Sequence, residues 1–125
     1  MRNILIVGAG KSSPYLIKYL TENSSKHNLH LNITDVKIDH LEIYSKIERC
    51  TVSRIDILND GQREKFIAEN DIVISMLPAR FHIILAKSCL KLKKNLLTAS
   101  YVNDEMRDLN KDVIDNNLIF LSFNT

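Results

Sequence analysis

The stretch Asn3-Ile4-Leu5-Ile6-Val7-Gly8-Ala9-Gly10-Lys11-Ser12-Ser13-Pro14 decides the fold. Asn3 to Val7 is a short apolar run rich in β-branched side chains, the pattern of a strand buried on both faces. Glycine is scarce, with three in the whole chain, and two of them, Gly8 and Gly10, fall directly after this run. A chain so poor in glycine uses it where no side chain fits. Gly8 permits a tight turn out of the strand, and Gly10 lets backbone approach a pyrophosphate. Ser13, at the third position of G-x-G-x-x-G, is small enough for a following helix to pack on the strand. The helix N-terminus offers free N–H groups to phosphate, and Lys11, Ser12 and Ser13 add charge and hydroxyl donors. Pro14 lacks an N–H and biases Ser13 away from helical angles, so a shifted loop is expected. A purely structural turn is the alternative reading. The strand–loop–helix setting favours a dinucleotide.

Outward from this turn, strand and helix patterns alternate. Pro14 to Asn23 carries Leu16, Ile17 and Leu20 at helical spacing, with Tyr15 and Tyr19 widening the stripe. Ser24 to Asn28 is polar and reads as a loop, and Leu29 to Thr34 as a second strand. Asp39 with Glu42 suggests a capping box for a short helix facing inward through Leu41, Tyr44 and Ile47. Thr51 to Ile57 reads as a third strand, and Asn59 or Asp60 caps a helix bearing Phe66 and Ile67. Asp71 to Leu77 reads as a buried strand ended by Pro78. Arg80 to Leu92 places Phe81, Ile84, Leu85, Cys89 and Leu92 on one helical face. Asn95 to Ala99 follows as a strand, then a helix capped by Asn103 with Met106, Leu109 and Val113 inward, then an apolar run from Leu118 to Phe123.

Unbroken alternation implies right-handed βαβ crossovers. The expected fold is α/β: a doubly wound (Rossmann) parallel sheet of about six strands in the order 3-2-1-4-5-6, with helices on both faces. The 125 residues fit one domain, 1–125. Apolar residues make up 45% and charged residues 26%, ordinary for a globular domain. A net charge of +2 gives no footprint for nucleic acid. No run approaches the roughly 18 apolar residues of a membrane span. Cys50 and Cys89 stand far apart, form no metal spacing and read as buried thiols, which points to the cytoplasm. His27, His30, His40 and His82 show no ligand spacing and read as surface or packed residues; His82 follows Pro78 and could face the site.

Asp35 lies after the second strand, slightly beyond the usual spacing of about 20 residues from the glycine motif. A carboxylate there accepts both ribose hydroxyls and repels a 2′-phosphate, which favours NAD over NADP, although Lys37 softens the preference. The alternative is a solvated loop acid. Asp56 is a candidate for the adenine edge, or equally a turn acid.

Three segments carry a family resemblance: Gly8-Ala9-Gly10-Lys11-Ser12-Ser13 with Leu16-Ile17-Lys18-Tyr19-Leu20, Asp71-Ile72-Val73-Ile74-Ser75-Met76-Leu77-Pro78-Ala79, and Leu97-Thr98-Ala99-Ser100-Tyr101-Val102 before Glu105-Met106. Together the chain resembles the N-terminal NAD(P)-binding domain of the saccharopine dehydrogenase family. The resemblance implies an oxidoreductase of lysine metabolism that interconverts saccharopine with an amino acid and 2-aminoadipate semialdehyde. Hydride leaves the carbon beside the amine, and water hydrolyses the resulting imine. It also implies that Gly8, Gly10, Ser12 and Ser13 hold the pyrophosphate, Asp35 the ribose, and Asp56 with Ile57 the adenine. Met76, Leu77 and Pro78 are implied near the nicotinamide ribose, and Ser100 and Tyr101 at the border with substrate. Tyr101 reads either as a proton or hydrogen-bond donor or as strand-end packing.

The departures from the family pattern are three. The family continues after the sixth strand into a substrate domain, whereas this sequence stops at Thr125, so the isolated chain is expected to bind cofactor without turnover. NADP-using relatives carry a basic residue directly after the second strand, where this chain has Asp35 and Val36. Pro14 stands where look-alikes carry a small polar residue. A stand-alone NAD-sensing module is the competing expectation. An apolar surface near Leu118 to Phe123 would suit a missing domain or a homodimer partner.

Overall fold

A computed structural model describes residues 2–8, 13–98 and 104–122. In chain order the elements are β1 (Arg2–Val7), α1 (Ser13–His27), β2 (Leu29–Asp35), a 3-10 segment (Asp39–Lys46), β3 (Cys50–Arg54), α2 (Asp60–Ala68), β4 (Ile72–Ser75), a 3-10 turn (Ala79–Phe81), α3 (His82–Leu92), β5 (Asn95–Thr98), α4 (Asp104–Asp108), α5 (Asn110–Asp115) and β6 (Phe120–Ser122). The strands form one parallel sheet in the order β3-β2-β1-β4-β5-β6, the doubly wound order expected from the alternation.

β1 lies inside the sheet, and its successive residues feed two cores. Ile4 and Ile6 pack with Leu31, Ile33 and Ile74 beneath Ile17 of α1 and Leu41 of the 3-10 segment. Leu5 and Val7 pack with Val73 and Leu96 beneath Ile67 of α2 and Leu85, Ala86 and Cys89 of α3. Each of these Val, Leu and Ile side chains stabilises the fold by about 1.5–3 kcal/mol. A strand with a core on both sides needs no polar alternation, which is why Asn3 to Val7 reads as a continuous apolar run.

Several local expectations are corrected. The polar stretch Ser24 to His27 is helix rather than loop. Nearby side chains bond back to carbonyls of their own helix: Thr21 Oγ1 donates to Lys18, Asn23 Nδ2 to Tyr19 and Ser24 Oγ to Thr21. The stop comes from Asn28, left-handed at φ 55°. Tyr15 and Tyr19 do not widen the buried stripe of α1, since they are 83% and 61% exposed. Asp39 does not cap: the residue before the 3-10 segment is Ile38, and no side-chain cap bond forms there. β3 ends at Arg54 rather than Ile57. The last helical stretch breaks at Leu109 into α4 and α5. Asn59 caps α2 as expected, its side chain accepting from the Gln62 N–H. The cap expected at Asn103 lies outside the described residues.

Candidate functional site

The carboxyl ends of β1, β2, β3 and β4 open on a common cleft. In an open α/β sheet the ligand lies there, where the strand order reverses. A cavity of about 200 Å³ is lined by Val7, Gly8, Asp35, Val36, Ile55, Asp56, Ile57, Leu58, Leu77 and Phe81. Gly8, Asp35, Asp56, Ile57 and Leu77 of the expected site thus meet around one space. Met76 turns instead to the α1 core, and Pro78 is exposed ahead of the 3-10 turn. Gly10, Lys11, Ser12, Ser100 and Tyr101 lie outside the described residues, as does the side chain of Ser13. The backbone of Ser13 is helical, so Pro14 is accommodated in the first turn of α1, where a missing N–H costs nothing.

Gly8 sits at φ +87° and donates its N–H to the Thr34 carbonyl at 2.9 Å, tying the turn to β2. That backbone conformation favours glycine. Asp35 is the last residue of β2 rather than the first after it. Its Oδ1 accepts from the Val36 N–H at 2.6 Å, and its Oδ2 lies 3.7 Å from His40 Nε2. Asp56 forms the turn that one of its two readings expects. Its Oδ1 accepts from the Leu58 N–H at 3.0 Å, forming the turn before α2, while the residue lines the cleft.

Two buried side chains hold the cleft walls. Arg63 of α2 donates to the Ile57 carbonyl at 2.6 Å, to Ser88 Oγ of α3 at 2.8 Å and to Asp60 Oδ1 at 2.8 Å. Sequence reading passed over Arg63; its signal was a charged residue on the inward face of α2, close to Ile67 in the helical period. His82, 2% exposed, lies with Nε2 2.9 Å from the Leu77 carbonyl. Burial lowers its pKa, outweighing the hydrogen bond, so the neutral ring donates to that carbonyl. The Arg80 guanidinium stacks 4.6 Å from the centroid of the Phe81 ring, which lines the cleft. Among the described residues no group of three or more His, Cys, Asp or Glu side chains is arranged to hold a metal.

A second row was also missed. Ser53, Thr34, Val7, Ser75, Thr98 and Ser122 align in register across the carboxyl edge of the sheet. Thr34, Ser75 and Thr98 are buried, and Thr34 Oγ1 donates to the Ile6 carbonyl at 2.7 Å. The signal was present: five of the six strands carry Ser or Thr at or next to their last residue, and β1 ends on Val7.

This sheet order, with a glycine turn after β1 and a carboxylate ending β2, defines the dinucleotide-binding class of α/β domains. Within that class, the chain belongs to the saccharopine dehydrogenase NADP binding domain family, whose model matches residues 4–121. The alpha-aminoadipic semialdehyde synthase of Arabidopsis thaliana is 33% identical over 92 residues, 73% of this chain and 9% of that protein. The saccharopine dehydrogenase (NADP(+), L-glutamate-forming) of Saccharomyces cerevisiae is 25% identical over 113 residues, 90% of this chain and 25% of that protein. Apo saccharopine dehydrogenase (L-Glu forming) from S. cerevisiae superposes with a TM-score of 0.86 at 23% identity, over 98% of this chain and 27% of that one. The chain therefore spans 9% to 25% of the length of these curated relatives.

Cys50 and Cys89 are free and buried, as expected. No helix among the described residues is long and apolar enough to cross a membrane.

Proposed function

We propose that this chain is the nicotinamide-dinucleotide-binding part of a saccharopine dehydrogenase-like oxidoreductase of lysine metabolism, and that it prefers NAD to NADP. Asp35 carries the preference. It ends β2 at the cleft with a carboxylate oxygen facing His40, and it can accept the hydroxyls of an adenosine ribose. A 2′-phosphate would meet that negative charge. The family and the yeast relative are named for NADP, so the preference for NAD rests on Asp35 of this chain alone.

The cleft suits the group. Gly8 makes the turn with a positive φ, Ile55, Ile57, Leu58 and Phe81 give apolar walls for adenine, and α1 has no acid in its first turn to repel phosphate. Gly10, Lys11, Ser12 and Ser13 complete the phosphate turn in this reading, with Ser100 and Tyr101 beside the nicotinamide. The bound dinucleotide supplies the hydride acceptor or donor. The chain's own residues bind it and orient it: Asp35 at the ribose, Leu77 against Gly8, and His82 fixing the Leu77 carbonyl.

Substrate contacts and turnover are assigned to a further domain. An exposed apolar edge supports this: Ile119 and Leu121 are 56% and 55% exposed beside a cleft of about 350 Å³ lined by Met106, Arg107, Val113 and Phe120. A second copy of the chain fits the same edge. Two buried free thiols support a reducing compartment, for which we retain the cytoplasm.

Calorimetric titration with NADH and NADPH, on the chain and on Asp35→Ala, tests this reading. The expected result is NADH binding that is tighter than NADPH binding and is weakened in the variant. Equal or tighter NADPH binding would overturn the preference, and no binding by a folded chain would overturn the cofactor assignment.

A further inference from the structure

We propose that His40 is a specificity-determining residue of the ribose subsite, setting how strongly the chain rejects a 2′-phosphorylated nucleotide. This rests on the reading that Asp35 receives the adenosine ribose. The 3-10 segment Asp39–Lys46 is anchored by Leu41, 1% exposed in the α1 core, which fixes its neighbour His40 beside β2. His40 Nε2 lies 3.7 Å from Asp35 Oδ2, with the imidazole 52% exposed and the carboxylate 19% exposed. A neutral imidazole leaves the carboxylate charge in force, and a phosphate placed there is repelled. An imidazolium at that distance offsets the carboxylate and presents a cation to the same position.

Other charged groups belong to the elements next to the pair. Lys37 follows β2, Arg54 aligns with Asp35 on β3, and Arg80 lies over Phe81. Asp56 lines the cleft, and Asp39 and Glu42, with Tyr44, belong to the segment of His40 itself. Lysine, arginine and carboxylate side chains ordinarily keep their charge between about pH 6 and 8, whereas imidazole is the type that changes it there. Imidazole is the side-chain type whose charge responds in this range, so pH is the variable that reads what the His40 ring contributes beside Asp35.

The test is the ratio of NADPH to NADH dissociation constants, measured by fluorescence titration at pH 6 and pH 8. Wild type, His40→Gln and His40→Arg are compared, with circular dichroism to verify folding. The 2′-phosphate itself has a second ionisation near pH 6, and it contributes alike in all three proteins. From pH 8 to pH 6 the wild-type ratio is expected to fall by roughly threefold more than that of His40→Gln, the scale of a partly exposed ion pair. His40→Arg is expected to hold a low ratio at both pH values. The same pH dependence in wild type and His40→Gln, or a His40→Arg ratio as high as that of His40→Gln at pH 8, would overturn the role of His40 while leaving nucleotide binding intact. Binding of neither nucleotide by folded wild type would overturn the ribose-subsite reading and this inference with it.

Discussion

Gly8 and Leu77 meet at the mouth of the cleft so closely that a methyl group on Gly8 would stand 2.9 Å from Leu77 Cδ2 and 3.2 Å from the Leu77 backbone nitrogen. The side-chain tip can swing away, but the backbone nitrogen cannot. The positive φ of Gly8 adds a cost that no neighbour relieves. Gly8→Ala is expected to destabilise the chain by about 1–3 kcal/mol and to weaken dinucleotide binding. Adding Leu77→Ala recovers only the part due to the side chain. Thermal unfolding of both variants checks this. Full recovery in the double variant would mean that the backbone conformation carries no cost.

Arg63 joins α2 to α3 and to the Ile57 carbonyl on the cleft wall. Arg63→Met removes three donors and leaves the Ile57 carbonyl and Ser88 hydroxyl to find others. The expected loss is about 2–3 kcal/mol in a urea titration, against about 1 kcal/mol for Ser88→Ala. The two losses should not add in the double variant, because the residues share one bond. Strict additivity would count against the bond.

His82 makes stability depend on pH. Its folded-state pKa is lowered from 6.5 by burial. As pH falls below about 6.5 the unfolded chain takes up a proton that the folded chain resists, so stability falls as the pH drops. Above that value the contribution is constant. His82→Gln keeps a donor for the Leu77 carbonyl and removes the titration. The fall in melting temperature from pH 8 to pH 5.5 is expected to be smaller in the variant than in wild type. An equal fall in both would assign the pH dependence elsewhere.

Burial pushes the Cys89 thiol up to about 12 against the opposing charge of Lys94, and it also raises the Cys50 thiol. Thiolate is the reactive form. Neither cysteine should react with Ellman's reagent in the folded chain at pH 8, and both should react in guanidinium. Rapid labelling of the native protein would contradict the buried placement of these residues.

The sheet was legible in the sequence because its central strands, buried on both faces, must be continuously apolar. Asn3 to Val7 and, within Asp71 to Leu77, the apolar run of β4 could hardly be anything else. The cleft was legible at Gly8, Asp35, Asp56, Ile57 and Leu77, because the strand-to-loop transitions of this topology put strand ends together. Tyr15 and Tyr19 misled because an aromatic ring at helical spacing looks the same whether its face is covered or open. Ser24 to His27 looked like a loop because a polar stretch has the composition of a turn, although Ser24 here bonds back to a carbonyl of its own helix. Arg63 and His40 were missed for a different reason. Their partners, Ser88 and the Ile57 carbonyl in one case and Asp35 in the other, come together only once the sheet is assembled.

The most direct test of the central claim is an amide chemical-shift titration of the chain with NADH. Shifts are predicted at Gly8, Asp35, Val36, Asp56, Leu58 and Leu77, the amides around the cleft between β1, β2 and β4. Saturable shifts confined to the Met106, Val113 and Phe120 cleft, or none in a folded chain, would contradict the account.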